Sequence, residues 1–434
     1  MVYHFIGIKG SGMASLANIL ADKGEIVSGS DIPKDLFTQK SLEKKGIKIT
    51  DFNKDNIKDG MNVIIGNAFD DTNVEVKEAL ANSTVKTTYY FEFLGQFINN
   101  YKSISVAGTH GKTTTTGILT HVLQQVAPTG FLIGDGTGGM PLNAKYFTLE
   151  SCEFQRHFMA YKPNYAIITS VDLDHVDCYP TLKEYAQAFE DFANQVKECV
   201  ILFGDDETLR GLNVKTKHIY YGFNEGNDVR IINYKENENG MKFDVEYLGK
   251  FYGSFNLPFV GKHLAWNALS TIAIAILEGL NPEQIEKGLQ TFPGVKRRFA
   301  IEKNKENVYI DDYAHHPTAI KLTIDAARTK FPNKKLIAIF KPDRYSRLEY
   351  FLEDFAEALA TADEVYLCNF ASNQVREPGI TVTIEDLANK INNAKIIDED
   401  EAGAKCLAAA GPACYLFMSS KDIYKLKNIV KSFH

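Results

Sequence analysis

Apolar positions along this chain change period repeatedly, from the short solid or alternating runs of strands to the three-to-four-residue spacing of helix faces. The first segment opens with a strand at 3–7, a glycine loop and a helix through Ala21, continues with strands at 25–31 and 62–67, and closes near 97–101. A strand at 103–107 follows, then a helix over 114–126 whose Ile118, Leu119, Val122 and Leu123 share one face. Beyond it the pattern predicts strands at 145–150, 164–170 and 198–203 and helices at 181–196 and 263–279. Between 215 and 257, aromatic and β-branched residues with turns at Asn224-Glu225-Gly226 and Glu238-Asn239-Gly240 predict a small antiparallel insertion. From 293 the alternation resumes, with strands at 307–311, 335–340, 363–368 and 413–418 and helices at 317–330, 348–361, 383–392 and 421–432. The expected fold is α/β, in three consecutive domains at 1–98, 99–292 and 293–434: Rossmann-like, P-loop ATPase-like and Rossmann-like.

Composition removes several functional classes. With 434 residues, 44% hydrophobic and 24% charged, the chain reads as a soluble globular protein. A net charge of -7 argues against a general nucleic-acid surface. No apolar run reaches the roughly 18 residues of a membrane span. The opening MVYHFIGIKGSG lacks the basic start of a signal peptide, and the cysteines at 152, 178, 199, 368, 406 and 414 form no C-x-x-C pair. Free thiols in a reducing cytoplasm, and no zinc site, are expected.

The chemistry centres on Gly108-Thr109-His110-Gly111-Lys112-Thr113-Thr114-Thr115-Thr116. It ends like a phosphate loop but has Val106 where the longer pattern places its first glycine. Strand before and helix after still converge backbone N–H groups and a helix dipole on one spot, with Lys112 adding a full charge and Thr113 a hydroxyl. Carboxylates follow at strand ends, as Glu150 and Glu153, and in Val171-Asp172-Leu173-Asp174-His175-Val176-Asp177, where hard oxygen ligands suit magnesium beside a nucleotide. Later come Gly294-Val295-Lys296-Arg297-Arg298-Phe299, Asp311-Asp312-Tyr313-Ala314-His315-His316-Pro317 and Lys341-Pro342-Asp343-Arg344-Tyr345-Ser346-Arg347. Each also has a bland reading, as a solvated basic turn, a helix cap or a surface ion-pair face. Near the start, Gly7-Ile8-Lys9-Gly10-Ser11-Gly12-Met13, followed about twenty residues on by Asp31, also fits a dinucleotide-binding unit, so a dehydrogenase competes at this point.

Taken together, GTHGKTTTT, GIKGSGM, VDLDH, GVKRRF and DDYAHHPT resemble the Mur ligases over essentially the whole chain, and the short phosphate loop is the form that family uses. The resemblance is strongest to the branch that adds the first amino acid, and it implies ATP-driven, magnesium-assisted ligation of L-alanine to UDP-N-acetylmuramate in cytoplasmic peptidoglycan precursor synthesis. It implies that Gly108, Thr109, His110, Gly111, Lys112, Thr113 and Thr114 hold ATP with His263, Asn267 and Arg298. Thr113 and Glu153 would hold one magnesium, and Glu153 with His175 a second. Lys112, Glu153, His175 and Arg298 would carry the catalysis. Gly10, Ser11, Gly12, Met13, Ser30 and Asp31 would take the uridine diphosphate end, and His315, His316, Arg344 and Arg347 the amino-acid end. A monomer or weak homodimer without nucleic-acid or membrane partners is expected.

Departures lie mostly at the acceptor end. Phe189 stands where later enzymes of the series carry a carbamylated lysine. Leu264, Ser170, Lys341-Pro342-Asp343 and Ser419-Ser420-Lys421-Asp422-Ile423 differ from the family pattern. The sequence reading has Asp343 pair with Arg344 and hold that guanidinium in place. A paralogue with a murein-peptide acceptor and a catalytically silent nucleotide binder remain the alternatives.

Overall fold

The computed structural model describes residues 1–176, 178–371 and 374–434, in which the chain builds three sheets one after another; Asp177 of the acidic motif lies outside the described residues. The first sheet is wholly parallel, in the order Lys48–Thr50, Ile26–Ser30, Val2–Ile6, Asn62–Ile65, Lys86–Tyr89. Connections run to opposite sides of Val2–Ile6, so the glycine loop that follows this strand opens at the topological switch point.

The second sheet has ten strands, with Lys102–Ala107 paired between Tyr165–Ile168 and Tyr146–Glu150. Three loops leaving these parallel strands therefore end side by side: the phosphate loop, the segment carrying Glu153 and the segment carrying Asp172 to His175. The third sheet orders Ala300–Asn304, Asn307–Asp312, Cys414–Met418, Leu336–Phe340, Glu364–Cys368 and Lys395–Ile397, with only the first strand antiparallel.

Packing ties these units together unequally. The second sheet shares one continuous core with part of the first, in which Phe97 meets the Phe147 ring edge-on at 5.3 Å and Tyr101 lies 5.9 Å from the same ring. Ile6, Val63, Ile65 and Val76 of the first unit form a small cluster of their own. The third sheet has its own apolar cores, one on each face.

Several elements differ from expectation for identifiable reasons. The region from 215 begins with a strand, His218–Gly222, that pairs parallel to Cys199–Phe203 and to Val229–Asn237. The antiparallel meander is thus confined to Val229–Leu257 and extends the main sheet rather than standing apart from it. The helix expected at 348–361 divides into Tyr345–Tyr350 and Leu352–Leu359, because Phe351 leaves helical geometry where its ring packs edge-on against His316. A helix missed by periodicity, Pro282–Gln290, opens with a full capping box from Asn281 and Gln284.

Candidate active site

The strand Lys102–Ala107 ends in two glycines that only glycine can occupy. Gly108 has φ 128°, and a Cβ there would stand 2.2 Å from Thr169 Oγ1. Gly111 is left-handed at φ 81°, and a Cβ there would lie 2.8 Å from Asn267 Oδ1. Between them the loop is tied down from the neighbouring strand end: Thr109 N donates to Ser170 O and His110 N to Ser170 Oγ, both at 3.0 Å. Ser170, a departure from the family pattern, thus serves the loop itself. The helix Lys112–Gln124 starts at Gly111 with no side-chain cap, which leaves its leading amides to an anion.

Lys112 is turned back over this loop. Its Nζ donates to Gly108 O, to Thr109 O at 3.2 Å and to Glu153 Oε1 at 3.1 Å. Glu153 is 2% exposed, and His175 Nε2 lies 3.3 Å from its Oε1. Burial alone would raise the Glu153 carboxyl, but the Lys112 charge beside it holds it below the usual carboxylate range. Tyr185 donates to the same oxygen at 3.3 Å, and sequence pattern gave no sign of this tyrosine. Phe189, one helical turn along, fills a buried aromatic cluster with Tyr185 and Phe158, so apolar contacts occupy the place of the absent lysine.

Beside the loop lies a cavity of about 410 Å³ lined by Phe203, Phe259, His263, Trp266, Asn267 and Arg298. Such a mostly apolar slot with a few polar groups suits a purine base. His263, its ring pushed down to about 4 by burial, stays neutral, and its Nδ1 is buried without a hydrogen-bond partner. Leu264, another departure, also lines this cavity.

The third sheet delivers its residues to the same place. Arg298 Nη2 donates to Thr113 Oγ1 at 2.9 Å across a sequence separation of 185 residues. Asp312 shapes that approach, accepting from Phe299 N and Ala314 N, both at 2.7 Å. His316 forms the N-cap of the helix Pro317–Lys330 and faces Asp172 and His110, whereas His315 turns the other way, its Nδ1 2.9 Å from Tyr313 O. Burial, with the Arg347 charge adding to it, lowers His315 to about 4.

The amino-acid end is arranged differently from expectation. Arg347 is 4% exposed and its guanidinium is spent on two aspartates: Nη1 lies 2.6 and 2.7 Å from the two Asp343 oxygens, and Nε and Nη2 lie 3.1 and 2.7 Å from Asp174 Oδ1. Asp343 lies just before Arg344, the extended N-cap of the helix Tyr345–Tyr350, and the turn into that helix brings Arg347 within bidentate reach of it. Arg344 lies over the Phe154 ring at 5.7 Å. A recess lined by Asp343, Arg344, Arg376, Glu377 and Lys421 adjoins them.

At the first sheet, two expected ligand contacts turn inward instead. Asp31 Oδ2 accepts from Lys9 N at 2.7 Å and Oδ1 from Ile32 N at 2.8 Å, so this carboxylate shapes the glycine loop. Ser30 is fully buried and donates to Glu75, a buried acid that also accepts from Asn53 N and Asn56. Gly10 to Met13 stand at the start of the helix Ser11–Asp22, whose N-terminus has no side-chain cap.

Comparison with known proteins identifies the family. The family descriptions "Mur ligase family, catalytic domain", "Mur ligase middle domain" and "Mur ligase, glutamate ligase domain" match residues 2–102, 106–275 and 297–421. A UDP-N-acetylmuramate--L-alanine ligase of Lactiplantibacillus plantarum is 46% identical over 429 residues, covering 99% of this chain and 98% of that protein. Among solved structures, the UDP-N-acetylmuramate-alanine ligase of Thermotoga maritima superposes with TM-score 0.84 at 27% identity, covering 100% of this chain and 99% of that one. A murein peptide ligase of Psychrobacter arcticus shares the fold with TM-score 0.72 at 23% identity, covering 100% and 98%. With three family domains matched in order and a relative aligned end to end, the chain belongs to the Mur ligase family.

Proposed function

We infer that this protein is an ATP-dependent carboxylate-amine ligase that joins L-alanine to UDP-N-acetylmuramate in peptidoglycan precursor synthesis. The observation that carries the reading is the end-to-end identity of 46% with a ligase of that name. A carboxylate is a poor electrophile, so the γ-phosphoryl of ATP is first moved onto the muramoyl carboxylate to give an acyl phosphate. The amine of L-alanine attacks the acyl carbon and inorganic phosphate departs. Positioning and charge neutralisation do most of this work.

In this assignment the amides of residues 108–114 and the Lys112 ammonium receive the phosphates, and the cavity bounded by His263 and Asn267 takes adenine. Thr113, Glu153 and His175 would hold magnesium. The donor set fits, since His175 Nδ1 is buried without a hydrogen-bond partner and the Glu153 carboxylate beside it faces the Lys112 ammonium, with Oε2 at 3.0 Å. Bound there, magnesium would neutralise phosphate charge and polarise the transferred phosphoryl group. Arg298 brings a second cation to the loop from the third domain. Residues 1–98 would bind the uridine nucleotide, 99–292 ATP and 293–434 the amino acid, with Arg344, Arg376 and Lys421 facing its carboxylate from the recess. The enzyme would work in the cytoplasm as a monomer or weak homodimer, without nucleic-acid or membrane partners.

The test is phosphate release from ATP in the presence of UDP-N-acetylmuramate and each of the twenty amino acids or a short stem peptide. Release that needs both the muramate nucleotide and L-alanine is expected. Preference for the peptide would reassign the acceptor, and no coupled release at all would leave a nucleotide binder.

A further inference from the structure

At the seam between the second and third sheets, side chains from three separate loops converge: His110 of the phosphate loop, Asp172 beyond the strand Tyr165–Ile168, and His316 at the start of the helix Pro317–Lys330. Asp172 Oδ2 lies 3.1 Å from His110 Nε2 and 3.7 Å from His316 Nδ1, and the three donor atoms fall within 4.8 Å of one another. Among the described residues no other group of three histidines, cysteines or acids gathers its donor atoms so closely.

His316 adds an independent sign. It is 2% exposed, yet neither of its ring nitrogens has a hydrogen-bond partner. A buried imidazole left bare on both sides calls for an explanation, and an unfilled ligand position supplies one. Metal–nitrogen bonds of about 2.0–2.1 Å in a tetrahedral shell set neighbouring ligand atoms roughly 3.3 Å apart. The 3.1 and 3.7 Å separations bracket that value, and only the two imidazoles need to draw closer.

We propose that His110, Asp172 and His316 form a transition-metal site that clamps the third domain onto the phosphate loop. Two imidazoles and one carboxylate favour Zn2+, Co2+ or Ni2+ over magnesium, so the site differs in chemistry as well as position from Glu153 and His175. Thr318 Oγ1 donates to Asp172 Oδ2 at 2.8 Å and orients the carboxylate. His110 and Asp172 both line the 410 Å³ cavity, so a fourth coordination position opens toward it for water or a phosphate oxygen. Because the ligands come from two domains, metal binding and closure stabilise each other.

The test uses the full-length, tag-free protein with magnesium in excess. Zn2+ is titrated by calorimetry and Co2+ by visible absorption. The expected result is one site of micromolar or tighter affinity, weakened at least about tenfold by His110→Ala and by His316→Ala. His110 is partly exposed, so its variant remains informative if the buried His316→Ala fails to fold. Absence of binding, wild-type affinity in His110→Ala, or a cobalt spectrum with thiolate charge-transfer bands, which would put the metal on Cys152 or Cys406, overturns the proposal.

Discussion

Replacing Arg347 with methionine would remove the cation that bridges Asp174, after the central strand Tyr165–Ile168, and Asp343, after the third-sheet strand Leu336–Phe340. All three side chains are buried, at 4%, 6% and 9% exposure for Arg347, Asp174 and Asp343. Deleting one partner of a buried ionic group strands the other charges, at a cost of about 3–5 kcal/mol. The titration of Asp343 gives a compatible scale. Burial pushes its carboxyl up and Arg347 pulls it down further, to about 2 from 3.8, which corresponds to ~2 kcal/mol for that carboxylate alone. Asp174 is likewise held well below the usual range against its own burial, chiefly by Arg347, with His175 and His315 contributing. A lowered carboxyl stabilises the fold fully above about pH 4 and loses that contribution as pH falls through its folded value. The penalty of Arg347→Met should therefore be largest at neutral pH and, as pH falls, begin to shrink while still above about pH 4, because without the cation burial raises both carboxyls, and protonated aspartates no longer need it. The single tryptophan, Trp266, reports only on the central domain, so a global fluorescence melt is unsuited to the question. Hydrogen exchange of peptides spanning the strands Leu336–Phe340 and Cys414–Met418 reads the third domain directly. The combined variant Asp174→Asn, Asp343→Asn and Arg347→Met should recover most of the lost protection, since no buried charge is then stranded. A loss below about 1 kcal/mol in the single variant, or no recovery in the triple one, refutes the reasoning.

Lys112→Ala should lower ligation at least about 100-fold, checked by coupled phosphate release beside a melting curve, since the variant also strands the buried Glu153 carboxylate; undiminished turnover sinks the phosphate-loop assignment. Glu153→Gln, which removes a buried negative charge between Lys112 and His175, should raise the magnesium concentration needed for half-maximal activity at least about tenfold. For Arg298→Ala, a fall in kcat of about 10–100-fold is expected, and an unchanged value would mean that its contact with Thr113 plays no part in turnover. Calorimetry should detect UDP-N-acetylmuramate and not NADH; tight NADH binding alone would restore the dehydrogenase reading of the first glycine loop.

Fold class and the position of the phosphate loop were legible because both depend on local pattern. Buried parallel strands are solid apolar runs, and Gly108 and Gly111 occupy backbone geometry that other residues resist. Long-range pairing was not legible in the same way. The parallel entry of Val229–Asn237 into the main sheet rests on its register with Tyr221 and Gly222, which no local alternation encodes. Side-chain partners were the least accessible. The sequence places Asp343 next to Arg344, but the structure pairs it with Arg347, because the chain is extended at Arg344 and then turns into a helix whose first turn carries Arg347 back over Asp343. Similarly, Ser30 and Asp31 stand where ligand contacts were expected, while the fold turns one onto Glu75 and the other onto the loop backbone.

The continuous core under the first two sheets, against the separate cores of the third, has a consequence for kinetic order. Ring contacts such as Phe97 on Phe147 join the switch-point crevice and the phosphate loop through one shared core, so under the proposed assignment the muramate nucleotide and ATP would dock on units already packed together. The third domain meets that surface through polar and charged contacts of Arg298, Thr318 and Arg347, with Val295 packed against the edge of the shared core. If the third domain carries the amino acid, as proposed, that substrate should enter last, and initial-rate patterns should be sequential with the amino acid as the final substrate to add.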